Sequence, residues 1–404
     1  VLNTTEVWNS WNNWFNTVPI GFSEEDDFKL PIEDMLLTCD VLGLRVLFDT
    51  SYFLRTRSLS DLMDIILSVV DHPSIYAWYI VDEPGIRAPD INWTHINEDL
   101  IREAVELIQR IDSRPTFVQF SLGPINDSTW KASYNEVPDF VDIISVDPYP
   151  NMPYINHSFV SNWVDTIHRY NAGRAQVWTV LTAQDSSQSD DEKGFDIPME
   201  PEYMIDAMLA LQRGVEGLLW FAYGEITDDA FGASRVPASW DALGRVVRRI
   251  SQVVPIIVDR ENEMQPVILE ENLEIAYAKR GTQTVVFLAN HNYYWNGSET
   301  VWHQKSIPLT LKAPGVYAVS QIEPHGPVPL EYRENGEFIS FNISINGGMI
   351  LLIESTDSIS VSEFSGCLIL FAMNLALIVT LRDILLRKKR FFNYLKTILR
   401  YRRT

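Results

Sequence analysis

Cysteine is scarce in this chain, with only Cys39 and Cys367 in 404 residues. Cys39 falls in a helical pattern and Cys367 in a long apolar run. No disulfide between them is expected, and neither a disulfide framework nor a cysteine-based metal site can be built. Other signatures are missing too. No glycine-rich phosphate loop follows a strand-like run, no H-E-x-x-H pair suggests zinc, and no G-x-S-x-G elbow suggests a serine hydrolase. The seven histidines are scattered, so no metal or cofactor is expected. Basic residues number 32 against 54 acidic, and they are unevenly spread. From 382 to 404, nine basic residues face one acidic, a local charge of +8; the rest holds 23 basic and 53 acidic, or −30. An acidic body argues against nucleic acid as a partner.

Apolar residues are plentiful at 46%, enough for a large core and for two domains. Aromatics reach 12%, with 12 tryptophans, a supply that serves core packing and also the stacking of sugar rings. Six short apolar runs, at 44–48, 75–81, 116–120, 141–146, 176–181 and 217–221, alternate with helical patterns. Near-continuous apolar runs suit parallel strands buried on both faces. The helices are punctuated as expected: Pro31 opens one that Gly43 closes, Ser58 or Ser60 caps another, and one from 240 to 254 ends at Pro255. Strand–helix alternation at this spacing predicts a (β/α)8 TIM barrel over 1–255. The chain opens at Val1 without a signal peptide. Counting 217–221 as the eighth strand makes 75–81 the fourth, and places the first strand and most of the second before Val1.

After Pro255 the helical period disappears. Short strands at 273–278, 283–289, 305–311, 315–322, 338–343 and 349–353 predict a small antiparallel β-sandwich domain over 256–356. The run 364–381 is apolar almost throughout, and Arg382 and the cluster Arg387, Lys388, Lys389 and Arg390 follow it. This predicts a transmembrane helix over 364–386 and a basic cytosolic tail over 387–404, with residues 1–363 in the secretory lumen or outside the cell. Six N-x-S/T sequons, at Asn3, Asn92, Asn126, Asn156, Asn296 and Asn342, all precede the apolar run, as that orientation requires.

The stretch most informative about chemistry is His72-Pro-Ser-Ile-Tyr-Ala-Trp-Tyr-Ile-Val-Asp-Glu-Pro-Gly85, a strand ending in Asp82-Glu83-Pro84. Asp147-Pro-Tyr149-Pro follows the next-but-one strand, 177–184 closes on Gln184, and Trp220 ends the last, with Tyr223 and Glu225 just beyond. In order, these motifs resemble the large clan of retaining glycoside hydrolases built on this barrel. The resemblance spans roughly residues 44–224. It implies that Glu83, at the end of the fourth strand, is the acid/base, and that Trp220 is a sugar platform. Asp49, Asp82, Tyr149, Gln184, Trp220, Tyr223 and Glu225 are then the substrate-binding candidates. One position departs from the pattern. Where the clan carries its nucleophilic Glu, this chain has Gln184, and an amide cannot attack. Asp147, Glu225 or Asp82 could serve as the second carboxylate, and Asp147, from a neighbouring strand, is preferred. Two alternatives stay open: attack by an N-acetyl group of the substrate itself, and a catalytically inactive ectodomain that binds carbohydrate.

Overall fold

The computed structural model describes residues 17–20, 29–56, 58–84, 98–120, 139–150, 156–185, 197–223, 225–227, 230–270, 273–295, 300–303, 305–312, 315–336 and 338–356. The N-terminal part alternates strands and helices: β1 (Thr17–Ile20), α1 (Lys29–Leu42), β2 (Arg45–Asp49), α2 (Ser51–Thr56), α3 (Leu59–Val69) and β3 (Ile75–Asp82). It continues with α4 (Glu98–Ile111), β4 (Thr116–Phe120), β5 (Ile143–Val146), α5 (Ser158–Asn171), β6 (Gln176–Thr182), β7 (Gln184–Asp185), α6 (Glu200–Leu211), β8 (Gly217–Phe221), β9 (Glu225–Thr227), β10 (Ala230–Gly232) and α7 (Pro237–Val258).

Seven of these strands form one parallel sheet in the order β1-β2-β3-β4-β5-β6-β8, so each strand lies beside its predecessor. This is the sheet of a partial (β/α)8 barrel. Strands β4 and β5 are buried at every residue, which explains their unbroken apolar sequence. Helix α4 shows the complementary pattern. Ile101, Ala104, Val105 and Ile108 form its buried stripe, with Glu98 and Asp99 in its first turn and Arg110 in its last, as the helix dipole favours.

Two expectations need correction. The strand count left most of the second strand before Val1, yet β1 lies within the chain and pairs with β2 from Thr17↔Arg45 to Ile20↔Phe48. Its four residues, one of them Pro19, are too short a run to read from sequence. Pro255 does not end its helix either, since α7 continues to Val258. Buried Ile256 and Ile257 hold the last turn against the core and outweigh the lost backbone hydrogen bond.

The C-terminal part is a two-sheet β domain. Its strands are β11 (Val267–Glu270), β12 (Leu273–Arg280), β13 (Gln283–Asn290), β14 (Tyr293–Trp295), β15 (Thr300–Trp302) and β16 (Lys305–Lys312). They are followed by β17 (Val316–Glu323), β18 (Gly326–Pro329), β19 (Arg333–Asn335), β20 (Phe338–Ile345) and β21 (Gly348–Ser355). Six strands form one sheet, β11-β12-β13-β21-β17-β18, and three form the other, β16-β20-β19. Leu288, Leu351 and Ile353 from the first sheet meet Leu309, Phe341 and Ile343 from the second in a core of their own.

Helix α6 joins the two parts. It is buried from Tyr203 to Leu211 on every face, as a helix must be when the barrel covers one side and the β domain the other. At its C-terminus Gln212 is fully buried. Its Nε2 donates to the carbonyls of Glu274 (3.1 Å) and Phe287 (3.0 Å), on adjacent strands β12 and β13. Arg213 pairs with Glu274 at 2.7 Å. Near its middle, Asp206 receives His157 Nδ1 at 2.5 Å, and the rings of Tyr293 and Trp302 close over that histidine. At its N-terminal end Gly347 comes so close that a Cβ there would stand 2.2 Å from the Pro201 carbonyl oxygen.

Among the described residues no helix is long and apolar enough to cross a membrane. The run 364–381 and the basic tail lie outside the described residues, as do the sequon residues Asn3, Asn92, Asn126 and Asn296. Asn156 and Asn342 are both exposed.

The close approach at Gly347 predicts that Gly347→Ala lowers unfolding free energy by about 2–4 kcal/mol, from overpacking added to a positive φ of 69°. Gly281→Ala, also at positive φ but with nothing within 4 Å, is expected to cost only about 1 kcal/mol. Urea unfolding of both variants checks the difference.

Candidate active site

Parallel strands put their C-terminal ends at one mouth, and the acidic residues of this chain gather there. Asp49 ends β2, Asp82 ends β3 with Glu83 next, and Asp147 follows β5. Side chains alternate along a regular strand, which predicts that Asp82 and Glu83 point to opposite faces. The backbone departs from regularity at that point. Glu83 takes φ 46°, in the left-handed region that non-glycine residues avoid, at a cost on the order of 1–2 kcal/mol. Its N–H donates to the Gln119 carbonyl of β4 at 3.0 Å, and Pro84 behind it is buried. The strand therefore ends one residue before the catalytic candidate, and the kink brings both carboxyl groups to the same mouth.

Asp147 is buried, with the Glu83 carboxyl beside its own. Burial, then Glu83, then the charge of Asp82 raise its pKa well above the carboxylate range. Two carboxyls side by side cannot both ionise at ordinary cost, so Asp147 holds its proton. The Oδ1 of Asp147 has no hydrogen-bond partner among the described residues, a position where a ligand group would be accommodated.

The neighbours of the pair are polar and ordered. Tyr79 donates its hydroxyl to Asp82 Oδ1 at 2.7 Å and rests edge-on against Phe117. Burial, then Glu83 and Asp49, push Asp82 up to about 7, although Tyr79 opposes the shift. Asp49 accepts the Ser51 N–H at 2.8 Å, which starts α2, and burial raises its pKa as well. Arg55, from α2, acts favourably on both Asp49 and Asp82. The Tyr149 hydroxyl is raised by burial and by Asp147, Asp82 and Glu83, which places it beside the pair. Its ring stacks on Phe221 with centroids 6.3 Å apart and planes at 23°.

The remaining candidates sit elsewhere around the mouth. Gln184 is buried in β7 and pairs with Gly232 of β10, so the amide found in place of a nucleophile is built into a small sheet. The Glu225 backbone lies in β9 of that sheet. Its side chain lies outside the described residues. Trp220 is half-buried against the main core, and the exposed aromatic at this end is its neighbour Phe221, 41% exposed. Tyr223 packs edge-on against Trp240 of α7 and lends its carbonyl to Ser234, contacts that belong to the fold.

Sequence reasoning passed over Tyr79, Arg55, Gln119 and Phe221. Gln119 had a signal, as the only strongly polar side chain in a fully buried strand. Tyr79 had none, because one aromatic within an apolar strand reads as core.

Asp82 is a native carboxyl whose pKa stands above its unfolded value, 3.8. The folded state binds that proton more tightly, so stability falls as pH rises from about 4 to about 7 and is level beyond. With some solvent contact remaining at Asp82, the loss is expected to be on the order of 2 kcal/mol. Denaturant unfolding between pH 4 and 8 should show Asp82→Asn losing less stability over that interval than the parent chain.

No protein-family model matches the chain, and no curated protein matches it in sequence. Solved structures do match in fold. The glycoside hydrolase family 30 subfamily 8 xylanase Xyn30A from Clostridium acetobutylicum is 10% identical with a TM-score of 0.52, over 88% of this chain and 93% of that one. AmyP in complex with maltose is 11% identical with a TM-score of 0.51, over 88% of this chain and 90% of that one. An Anoxybacillus alpha-amylase is 8% identical with a TM-score of 0.51, over 88% and 90%. This chain therefore has the fold of glycoside hydrolases, a partial parallel barrel followed by a β domain.

Proposed function

We propose that this chain hydrolyses O-glycosidic bonds of glycans, with Glu83 as general acid/base and Asp147 as the second carboxyl. The observation that carries this reading is the contact between those two groups at the C-terminal mouth of the parallel sheet. Inverting enzymes keep their carboxyls about 6.5–9.5 Å apart to admit a water, whereas retaining ones hold them at about 5–5.5 Å. Carboxyls side by side leave no room for a water between them, which favours the retaining arrangement. The likeness to a xylanase and to a maltose complex supports the reading at the level of fold alone.

In this mechanism the pair enters with one proton, which passes from Asp147 to Glu83 as the substrate binds. Glu83 gives it to the glycosidic oxygen as the bond from that oxygen to the anomeric carbon breaks. The Asp147 carboxylate attacks the same carbon and forms a glycosyl ester. Glu83 then takes a proton from water, the water oxygen displaces Asp147, and both groups return to their starting state. Tyr149 and Phe221 offer the aromatic surface on which the sugar would rest. Asp82, held by Tyr79, would accept hydrogen bonds from substrate hydroxyls.

One observation favours a second reading. Gln184, the amide at the expected nucleophile position, is fixed in a strand, as a carbohydrate-binding site without catalysis would allow. Assays on aryl glycosides and on natural glycans separate the two. Glu83→Gln and Asp147→Asn are each expected to lower kcat/KM by about 10²–10⁴-fold while the fold is kept. Activity unaffected by either change would remove the assigned pair. Glycan binding without turnover in either panel would establish the binding reading.

The same proposal places the chain in the secretory pathway or at the cell surface, tethered by the apolar run 364–381 with the basic tail in the cytosol. The full chain is then expected to stay with membranes through an alkaline wash and to leave them in detergent. A chain ending at residue 356 should be released without detergent, and membrane retention of that shorter chain would disprove the tether.

A further inference from the structure

A cleft of about 290 Å³ lies between α6, α7 and the β domain, away from the carboxyl cluster. Pro201, Met204 and Ile322 give it an apolar wall, and Gln321, Ser344 and Asn346 give it polar groups. Its one lining cation is already engaged, since Arg249 pairs with Glu200 at 2.5 Å and with Glu323 at 2.6 Å. A cleft with apolar walls, amide and hydroxyl groups, and a neutralised guanidinium suits an uncharged, hydroxyl-rich ligand rather than an anion.

The sequon Asn342-Ile-Ser344 runs directly into this cleft. Along β20, Phe341, Ile343 and Ile345 face the sandwich core, while Asn342 and Ser344 are exposed on the outer face. Asn342 therefore stands on the same face as the lining residue Ser344, about 7 Å back along the strand. We propose that Asn342 carries an N-linked glycan whose first sugars fold back into this cleft. Attachment joins Asn342 Nδ2 to the anomeric carbon of a diphosphate-activated oligosaccharide. The bond from that carbon to phosphate breaks, and one amide proton is lost. The apolar wall takes the ring faces and the acetyl methyl of the first sugars, and Gln321 and Asn346 take their hydroxyl and amide groups. The other exposed sequon residue, Asn156, is differently placed. Its Oδ1 accepts the Tyr293 hydroxyl at 2.5 Å and the Ser158 N–H at 2.8 Å, and it does not line the cleft.

This inference rests on the lumenal placement proposed above, and the test separates the two. The full chain is produced in eukaryotic cells that add N-glycans, and occupancy of each sequon is read by glycopeptide mass spectrometry. Thermal unfolding in detergent is then compared among the parent chain, Asn342→Gln, Gln321→Ala and the double variant. The expected result is an occupied Asn342, a Tm about 2–4 °C lower in Asn342→Gln, and a double variant no less stable than Asn342→Gln alone. Occupied sequons elsewhere with Asn342 bare would overturn the site and leave the lumenal reading intact. Bare sequons throughout would overturn both. An occupied Asn342 with unchanged Tm, or with additive losses, would show a glycan that projects into solvent.

Discussion

Two carboxyl groups that repel each other in water are held in contact at the end of the parallel sheet, and the local structure is shaped by that contact. Asp147 sits where solvent cannot screen it, so it keeps a proton that a free carboxyl would release. Such a contact persists only where the backbone on both sides is fixed. On one side, β5 is buried along its whole length. On the other, the left-handed kink at Glu83 is pinned by a hydrogen bond to β4 and by buried Pro84. Strain in the backbone and electrostatic cost in the side chains meet at the same residues, as they do where a fold is organised for chemistry.

The second organising element is α6. Its amphipathicity is weak because from Tyr203 to Leu211 it has no solvent face; one core, shared by the barrel and the facing side of the β domain, surrounds it. The cleft, the buried His157–Asp206 pair and the Arg249 ion pairs all lie along or beside it. The β domain is thus bound to the barrel by polar contacts as well as by apolar area.

Much of this was legible in the sequence, and the reasons it was or was not are physical. Six of the seven parallel strands were readable because burial on both faces makes them nearly pure apolar runs. β1 was hidden by its shortness and by Pro19. The six longest strands of the β domain stood out by their turns, while the short β11, β14, β15, β18 and β19 went unread. At the site, Glu83 and Asp147 could be named from strand ends together with the family resemblance, but their closeness could not. It depends on one positive φ, which no residue type at that position announces. The alternation rule that set Asp82 against Glu83 fails for the same reason. Trp220, read as an aromatic platform, is half-buried, because sequence does not reveal where a strand tilts out of the core and leaves Phe221 exposed.

The Gln212 side chain carries a consequence for how the molecule holds together. One buried amide donates to carbonyls of two adjacent strands of the β domain while its own backbone closes a helix of the barrel. Pulling the two parts away from each other would strand these carbonyls and the amide in an apolar environment before any water could reach them. Separation along this seam is therefore unfavourable at its first step, and the two cores, though distinct in composition, are coupled into a single cooperative unit.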